Sequence, residues 1–306
     1  MVWGKKVRYL FLFGLVFLVA CTTQTTTTGV EGAYQCYAGE TQMVTAAFAD
    51  FAPESSETSP YEIGEEIPIE VVLTNFFSDD IDAGNAKVLL TGEAGTADIF
   101  SGTKSGTAET LYAIDPETCL TEQTEVILGP LTYQVSETTK ITKEITGLYC
   151  YTEPVVVKAF LYFTDDAEEI GTTLPDGSNP PSSVQVTAIE QDTVDIDPGE
   201  KEGDMRFKVT VNNIGEGTIV PSLDDCFAYR DASYREELTL AVDGPYTIEC
   251  PSTVKLGRGE KFDVVTCTVT GISSTNIGAQ PIGITITLSG FAYEDTIPPT
   301  TIWIEP

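Results

Sequence analysis

The side chains that could carry out chemistry in this chain are carboxylates, cysteine thiols and two Ser-x-x-Lys pairs, because the chain contains no histidine. Without imidazole, Ser-His-Asp and Cys-His catalysis and every histidine-containing zinc site are excluded. The Ser-x-x-Lys pairs are Ser101 with Lys104 and Ser252 with Lys255. In enzymes with this motif the serine is the nucleophile and lies at the start of a helix, and neither stretch has a helical pattern. We therefore expect no nucleophilic site at either pair.

Carboxylates could serve glycoside hydrolysis, which needs two carboxyl groups, one on each side of the glycosidic bond that is cleaved. With 47 acidic residues no pair stands out, and no group of aromatic residues beside a pair suggests a sugar platform. The cysteines also lack the C-x-x-C spacing that favours a thiolate metal site. The sequence therefore predicts a protein that is not an enzyme, with a carboxylate-based hydrolase of surface polymers as the less favoured alternative.

Calcium is the one metal ion that the sequence favours. Asp80 and Asp82 belong to residues 79–85, a stretch that places oxygen atoms at alternate positions before a glycine, as calcium-binding loops do. Asp195 and Asp197 belong to a second acidic stretch, residues 192–204. Solvated acidic turns are the simpler alternative for both stretches. No other cofactor is predicted.

Six of the seven cysteines are candidates for disulfide bonds. Setting Cys21 aside leaves an even number, which in an exported chain predicts three disulfides. Six cysteines allow 15 connectivities, and the sequence does not choose among them. Pairs within one predicted domain are favoured, namely Cys119 with Cys150 and Cys250 with Cys267. A bridge between Cys36 and Cys226 would then cross the two domains.

The first 20 residues have the pattern of a signal peptide. Lys5, Lys6 and Arg8 precede an apolar run of about a dozen residues, which is too short to span a membrane. The run ends in Leu-Val-Ala-Cys at residues 18–21, which resembles the lipobox of secreted lipoproteins. That resemblance implies cleavage before Cys21 and a lipid on its thiol, which would attach the protein to a membrane from outside the cytoplasm. An ordinary signal peptide is the alternative.

Charge and composition limit the partners. The formal net charge is −31, with 47 acidic and 16 basic residues, so no basic surface is available to neutralise nucleic-acid phosphates. Residues 21–39 begin with a Thr-rich, low-complexity stretch and are predicted to form a flexible tether. The remaining residues are rich in Thr, Val and Ile, which favours strands.

The rest of the chain repeats itself. Residues 67–75 and 205–213 both alternate apolar and polar residues and both end on Asn, as half-buried strands do. Further matches occur in the same order, among them residues 145–147 with 269–271, and the last lies between residues 154–163 and 281–293. Two tandem antiparallel β-sandwiches are therefore predicted, at residues 40–166 and 184–306, joined by a linker at residues 167–183.

The two halves resemble the immunoglobulin-like, adhesion-type repeats of archaeal and bacterial cell surfaces. The resemblance lies in an early V-x-V-x-N strand, a later Leu-Gly turn and an aromatic late strand. It implies an extracytoplasmic structural or binding protein that adheres to or assembles on the cell surface, with another surface protein or a polymer as its partner. The alternative is a filament or lattice subunit whose terminal strand, residues 300–305, joins the sheet of a neighbour. More simply, that strand is the last of its own domain.

Overall fold

The computed structural model describes residues 36, 42–115, 117–152, 154–228, 235–257, 262–278 and 281–306. The predicted signal peptide, Cys21 and nearly all of the predicted tether lie outside these residues. Within the described ranges the chain is almost entirely β-structure. No helix in these ranges is long and apolar enough to cross a membrane.

In the described part of the first half, the chain forms nine strands and one short helix, α1 (Gly92–Gly95). The strands are β1 (Val44–Phe48), β2 (Tyr61–Glu62), β3 (Glu66–Asn75), β4 (Ala86–Thr91), β5 (Phe100–Gly102), β6 (Ser105–Thr107), β7 (Gln123–Tyr133), β8 (Ile141–Tyr151) and β9 (Val155–Leu161).

The described residues of the second half form nine more strands. Short 3₁₀ turns span Ala167–Glu169, Leu223–Asp225 and Ser274–Asn276. The strands are β10 (Val184–Gln191), β11 (Glu202–Asn213), β12 (Thr218–Val220), β13 (Arg235–Asp243), β14 (Thr247–Glu249), β15 (Thr253–Gly257), β16 (Phe262–Ser273), β17 (Ile282–Ser289) and β18 (Ala292–Glu305).

Two of the four sheets are counterparts of each other. One has the order β1-β3-β7-β5 and the other β10-β11-β16-β14, and all their neighbours are antiparallel. The alternation predicted for β3 and β11 is confirmed, because every second side chain of both strands is buried, from Ile67 to Leu73 and from Met205 to Val211. The predicted all-β class, with antiparallel sheets of the kind that form sandwiches, is therefore found.

The later sequence matches between the halves join strands that are not equivalent. β7 and β16 occupy the same place in their sheets, so β8 corresponds to β17 and β9 to β18. The match of residues 145–147 with 269–271 instead sets β8 against β16, and the match of 154–163 with 281–293 sets β9 against β17. Alternating strands look alike in sequence, which allows an alignment to slip by one whole strand.

The other two sheets exchange their last strands between the halves. β9 leaves the first half and pairs with β17, where Leu161 lies opposite Ile282. β18 leaves the second half and pairs with β8, where Tyr293 lies opposite Tyr151. The resulting orders are β15-β13-β17-β9 and β12-β18-β8-β4-β6. The expectation that residues 300–305 complete the sheet of their own half is therefore wrong.

The exchange makes one continuous ribbon of the four strands. β8 runs into β9 through residues 152–154, and β17 runs into β18 through residues 290–291. The antiparallel pair of β8 and β18 is therefore continuous with the pair of β9 and β17. We call the region of the two crossings, residues 152–154 and 290–291, the crossover. One apolar core includes buried residues of both halves, and residues 31–306 form one compact unit.

The stretch predicted as a linker is packed against the second half. The carbonyl of Thr173 accepts from the amide of Phe160 at 2.8 Å, and its hydroxyl donates to the carbonyl of Ile189. The side chain of Asn179 both donates to and accepts from the backbone of Val186 at 2.9 Å. These contacts cover the edges of β9 and β10, which would otherwise present unpaired backbone groups.

All six remaining cysteines form disulfides. The predicted bridge between Cys250 and Cys267 is confirmed. The favoured pairing of Cys119 with Cys150 is wrong, as is that of Cys36 with Cys226, because Cys36 bonds to Cys119 and Cys150 bonds to Cys226. Cys150 lies next to the last residue of β8, and the exchange of β18 brings the segment around Cys226 beside it. Proximity in sequence does not reveal this arrangement.

Candidate functional site

The first candidate site is an acidic cleft at the end of the second half. It has a volume of about 700 Å³ and lies where β10 ends and β11 begins. Asp195 and Asp197, two of the residues predicted as calcium ligands, both line it. The backbones of Asp195 and Asp204 bond to each other in both directions, at 2.9 and 3.1 Å, so these carboxylates extend from a closed turn into solvent.

The second candidate site lies beside the crossover. Asp80 and Asp82 line a cavity of about 520 Å³ together with Pro154 and Gly290 of the two crossings. One oxygen of the Asp80 carboxylate accepts from the amide of Ala113 at 2.7 Å, which holds the loop after β3 against a later loop. This carboxylate therefore has a structural partner.

Neither acidic site has a recognisable metal cage. Across the described part of the chain, no group of three or more carboxylate or thiol side chains is arranged to hold a metal ion. Asp80 with Asp82, and Asp195 with Asp197, are each brought to one cavity, but the two pairs lie in different cavities. Calcium binding stays a prediction.

The Ser-x-x-Lys pairs have other partners. The hydroxyl of Ser101 accepts from the side-chain amide of Gln134 at 3.0 Å. Lys255 forms an ion pair with Glu237 at 2.6 Å. Both pairs lie in or beside strands, as their non-helical sequence pattern predicts.

Three buried tyrosines pack together where the halves meet. The ring of Tyr151 lies 6.1 Å from that of Tyr149 and 6.0 Å from that of Tyr293. The hydroxyl of Tyr149 donates to the carbonyl of Val44, and that of Tyr293 accepts from the amide of Gly217 at 2.7 Å. Burial raises the pKa of all three phenols above the ordinary value, that of Tyr293 to about 12.

This cluster predicts a loss of stability at high pH. Because the folded pKa is raised, the stabilisation is complete below the unfolded pKa of about 10 and is lost as the pH rises through the folded values. Each phenol then contributes a slope of about 1.4 kcal/mol per pH unit to the free energy of unfolding. Urea unfolding between pH 9 and about 12, with phenolate absorbance as a second signal, measures it. Tyr293→Phe should reduce the slope, because it removes one of the three buried phenols.

A buried carboxylate lies beside the tyrosines. Asp295 is 7% exposed and accepts from the side-chain amide of Gln42 at 3.1 Å and from the amide of Thr296 at 2.7 Å. Burial raises its pKa, although the two hydrogen bonds oppose the rise. Gln42 lies just before β1, so this hydrogen bond connects the start of β1 to the first residues of β18.

The outer faces of the two counterpart sheets are a third candidate site, which the sequence reading missed. Strand alternation predicts that Glu70, Arg206 and Lys208 face solvent, but it does not predict apolar residues among them. Ile127 of β7 is 71% exposed, and Phe262 of β16 is 60% exposed. The signal available in the sequence was the apolar residue at an outward position of each strand.

No protein-family model matches the chain, and a search of curated proteins finds no match to it.

Proposed function

We propose that this chain is a lipid-anchored, extracytoplasmic structural or binding protein of the cell envelope. Its two immunoglobulin-like sandwiches are held away from the membrane by the tether and serve adhesion or surface assembly. The observation that carries the proposal is the set of three disulfides, since such bridges persist outside the reducing cytosol. The signal-like first 20 residues and Cys21 agree with that location.

The interlocked fold suits a structural role. The ribbon formed by β8, β9, β17 and β18 joins the two halves along their strands, and the bridge between Cys150 and Cys226 connects them covalently. Relative motion of two domains is the usual expectation for a small interface. Here the shared sheets and the covalent bridge resist such motion, as a rigid surface module requires.

Assembly through addition of the terminal strand is the less favoured route. β18 already pairs with β8 along its length, and β12 and β2 pair with the two ends of its other edge. The open part of that edge carries Pro298 and Pro299, which are exposed and have no amide hydrogen to donate. A filament formed by strand addition would have to displace these contacts.

Intact mass measurement of the native protein tests the proposal. We expect a chain that begins at Cys21 and carries a diacylglyceryl mass, and whose mass rises on reduction by two hydrogens for each of three bridges. The Cys21→Ser variant should retain the disulfides but lose its membrane attachment. A native protein that begins at Met1 with free thiols would refute the proposed location.

A further inference from the structure

The outer side of the first counterpart sheet combines carboxylates with exposed apolar side chains. We call this solvent-facing side of β1, β3 and β7 the acidic face and define it by Glu66, Glu70, Val72, Glu125 and Ile127. Ile127 lies opposite Glu70, and Glu125 lies opposite Val72, so acidic and apolar groups alternate across the two strands. Because Ile127 is 71% exposed, the centre of the face is uncovered in the single chain.

The turn after β1 adds a second large apolar side chain beside this face. The amide of Ala49 donates to the carbonyl of Glu70, and the amide of Glu70 donates to the carbonyl of Ala52, both at 3.0 Å. Phe51 lies in this turn and is 76% exposed. Phe51 and Ile127 are therefore both in contact with water, and both flank the same residue of β3.

A β-bulge opens a cavity in the acidic face. Residues 129–130 of β7 together oppose Pro68 of β3, where the register of the two strands shifts by one residue. The bulge borders a cavity of about 280 Å³ that is lined by the prolines of both strands and by Ile127, Glu66 and Glu70. This lining suits a side chain with a long aliphatic stem and a cationic end, which needs apolar walls and a carboxylate at once.

The acidic face carries charge of one sign. Residues 42–86 and 105–139, which supply β1, β3 and β7, contain neither lysine nor arginine. Lys104 follows β5 in the same sheet, but its Nζ is buried. Within the described ranges, the three carboxylates that define the face form no ion pair. Their charge is therefore left for a partner to neutralise.

This combination selects the chemistry of the partner. A purely apolar surface would bury the carboxylates without a counter-charge, which is costly. An acidic surface, including the same face of a second copy, would bring like charges together. We propose that the acidic face binds a protein segment on which basic and apolar side chains alternate, with one arginine or lysine in the cavity at the bulge. The proposal names a partner class for the binding role proposed above and rests on that role only for where the partner is met.

The size of the face predicts a weak, reversible contact. Three strands spaced by about 4.8 Å, over the roughly 33 Å length of β3, give roughly 500 Å² on this side. The total of about 1,000 Å² over both partners lies near the lower limit of specific interfaces. In such contacts a few central residues supply most of the binding energy. Glu70 and Ile127, which are opposite each other on adjoining strands, hold that position here.

Peptide binding to the chain from Thr22 onward, which retains the compact unit of residues 31–306, tests the proposal. The probe is a short fluorescent peptide that alternates arginine and leucine, and its fluorescence anisotropy gives the dissociation constant. At salt near 0.15 M, charges separated by more than about 8 Å are screened. Ile127→Asp makes the face more acidic and less apolar, so we expect roughly tenfold weaker binding. Charge attraction alone predicts the opposite, namely tighter binding.

Removal of one carboxylate at each of two places supplies the matched control. Glu70→Gln changes the acidic face, and Asp197→Asn changes the acidic cleft of the second half. The cleft has more carboxylates, but none of the exposed large apolar side chains in the described ranges lines it. We therefore expect Glu70→Gln to weaken binding and Asp197→Asn to leave it unchanged. Both side chains lie outside the core, so unchanged melting temperatures would show that the fold is intact.

Four results would overturn the proposal. The first is a peptide that does not bind, and the second is an Ile127→Asp variant that binds as tightly as the wild type. The third is an Asp197→Asn variant as weak as Glu70→Gln, or equal binding of a peptide that alternates arginine and serine, since either reduces the contact to charge alone. The fourth is self-association of the wild type that Ile127→Asp abolishes, which would assign the face to a second copy. None of these results depends on the mass of the native protein, so either proposal can fail alone.

Discussion

The two halves of the chain are each expected to fail to fold when they are expressed separately, as residues 22–166 and residues 167–306. The first fragment lacks β18, whose Tyr293, Ile297, Ile302 and Ile304 are at most 2% exposed. Each such side chain contributes about 1.5–3 kcal/mol on burial, so the fragment loses roughly 6–12 kcal/mol. The whole stability of a domain is only about 5–15 kcal/mol. The second fragment lacks β9 and its buried aliphatic residues.

Mixing the fragments should restore the fold. Refolded together under oxidising conditions, they are expected to form a 1:1 complex that is linked through Cys150 and Cys226. Circular dichroism in increasing urea measures this as a cooperative transition that is present in the mixture and absent from each fragment. A protease site inserted after Gly171 in the intact chain is the control, since cutting there should leave the halves joined. A cooperative transition in either isolated fragment would contradict the interlocked fold.

The sequence predicts which side of each strand is buried but not which strand lies beside it. Alternation at residues 67–73 and 205–211 is a local property, so both strands are found as expected. Partner choice depends on the whole sheet. β9 and β18 both alternate buried and more exposed residues, and this local pattern does not indicate which sheet either strand joins.

The same limit explains the disulfides. Cys250 and Cys267 are 17 residues apart and lie in or beside adjoining strands, so proximity in sequence is a good guide to their pairing. Cys150 and Cys226 are 76 residues apart and meet only because β18 passes to the first half. In the candidate sites, the acidic stretches were predicted from composition, while the outer faces required knowledge of which residues remain uncovered.

Unfolding on reduction of all three disulfides is the second large effect that we expect. The reduced protein should be unfolded near body temperature. In the chain-entropy treatment, closing loops of 83, 76 and 17 residues stabilises the fold by about 4.5, 4.5 and 3 kcal/mol, together roughly 12 kcal/mol. The three loops follow one another without overlap, so their contributions are close to independent. Because the sum is similar to the entire stability of an ordinary domain, calorimetry of the reduced chain should show no transition at the native temperature.

Removing single bridges separates the role of the crossover from that of loop closure in general. Cys150→Ala with Cys226→Ala should cost about 4.5 kcal/mol, and Cys250→Ala with Cys267→Ala about 3 kcal/mol. The variants are well matched, because each removes one fully buried and one partly buried cysteine. A larger loss for the first variant, measured by urea unfolding, is expected because that bridge joins the two halves where their strands cross. An equal or smaller loss would show that the exchanged strands hold the halves together without it.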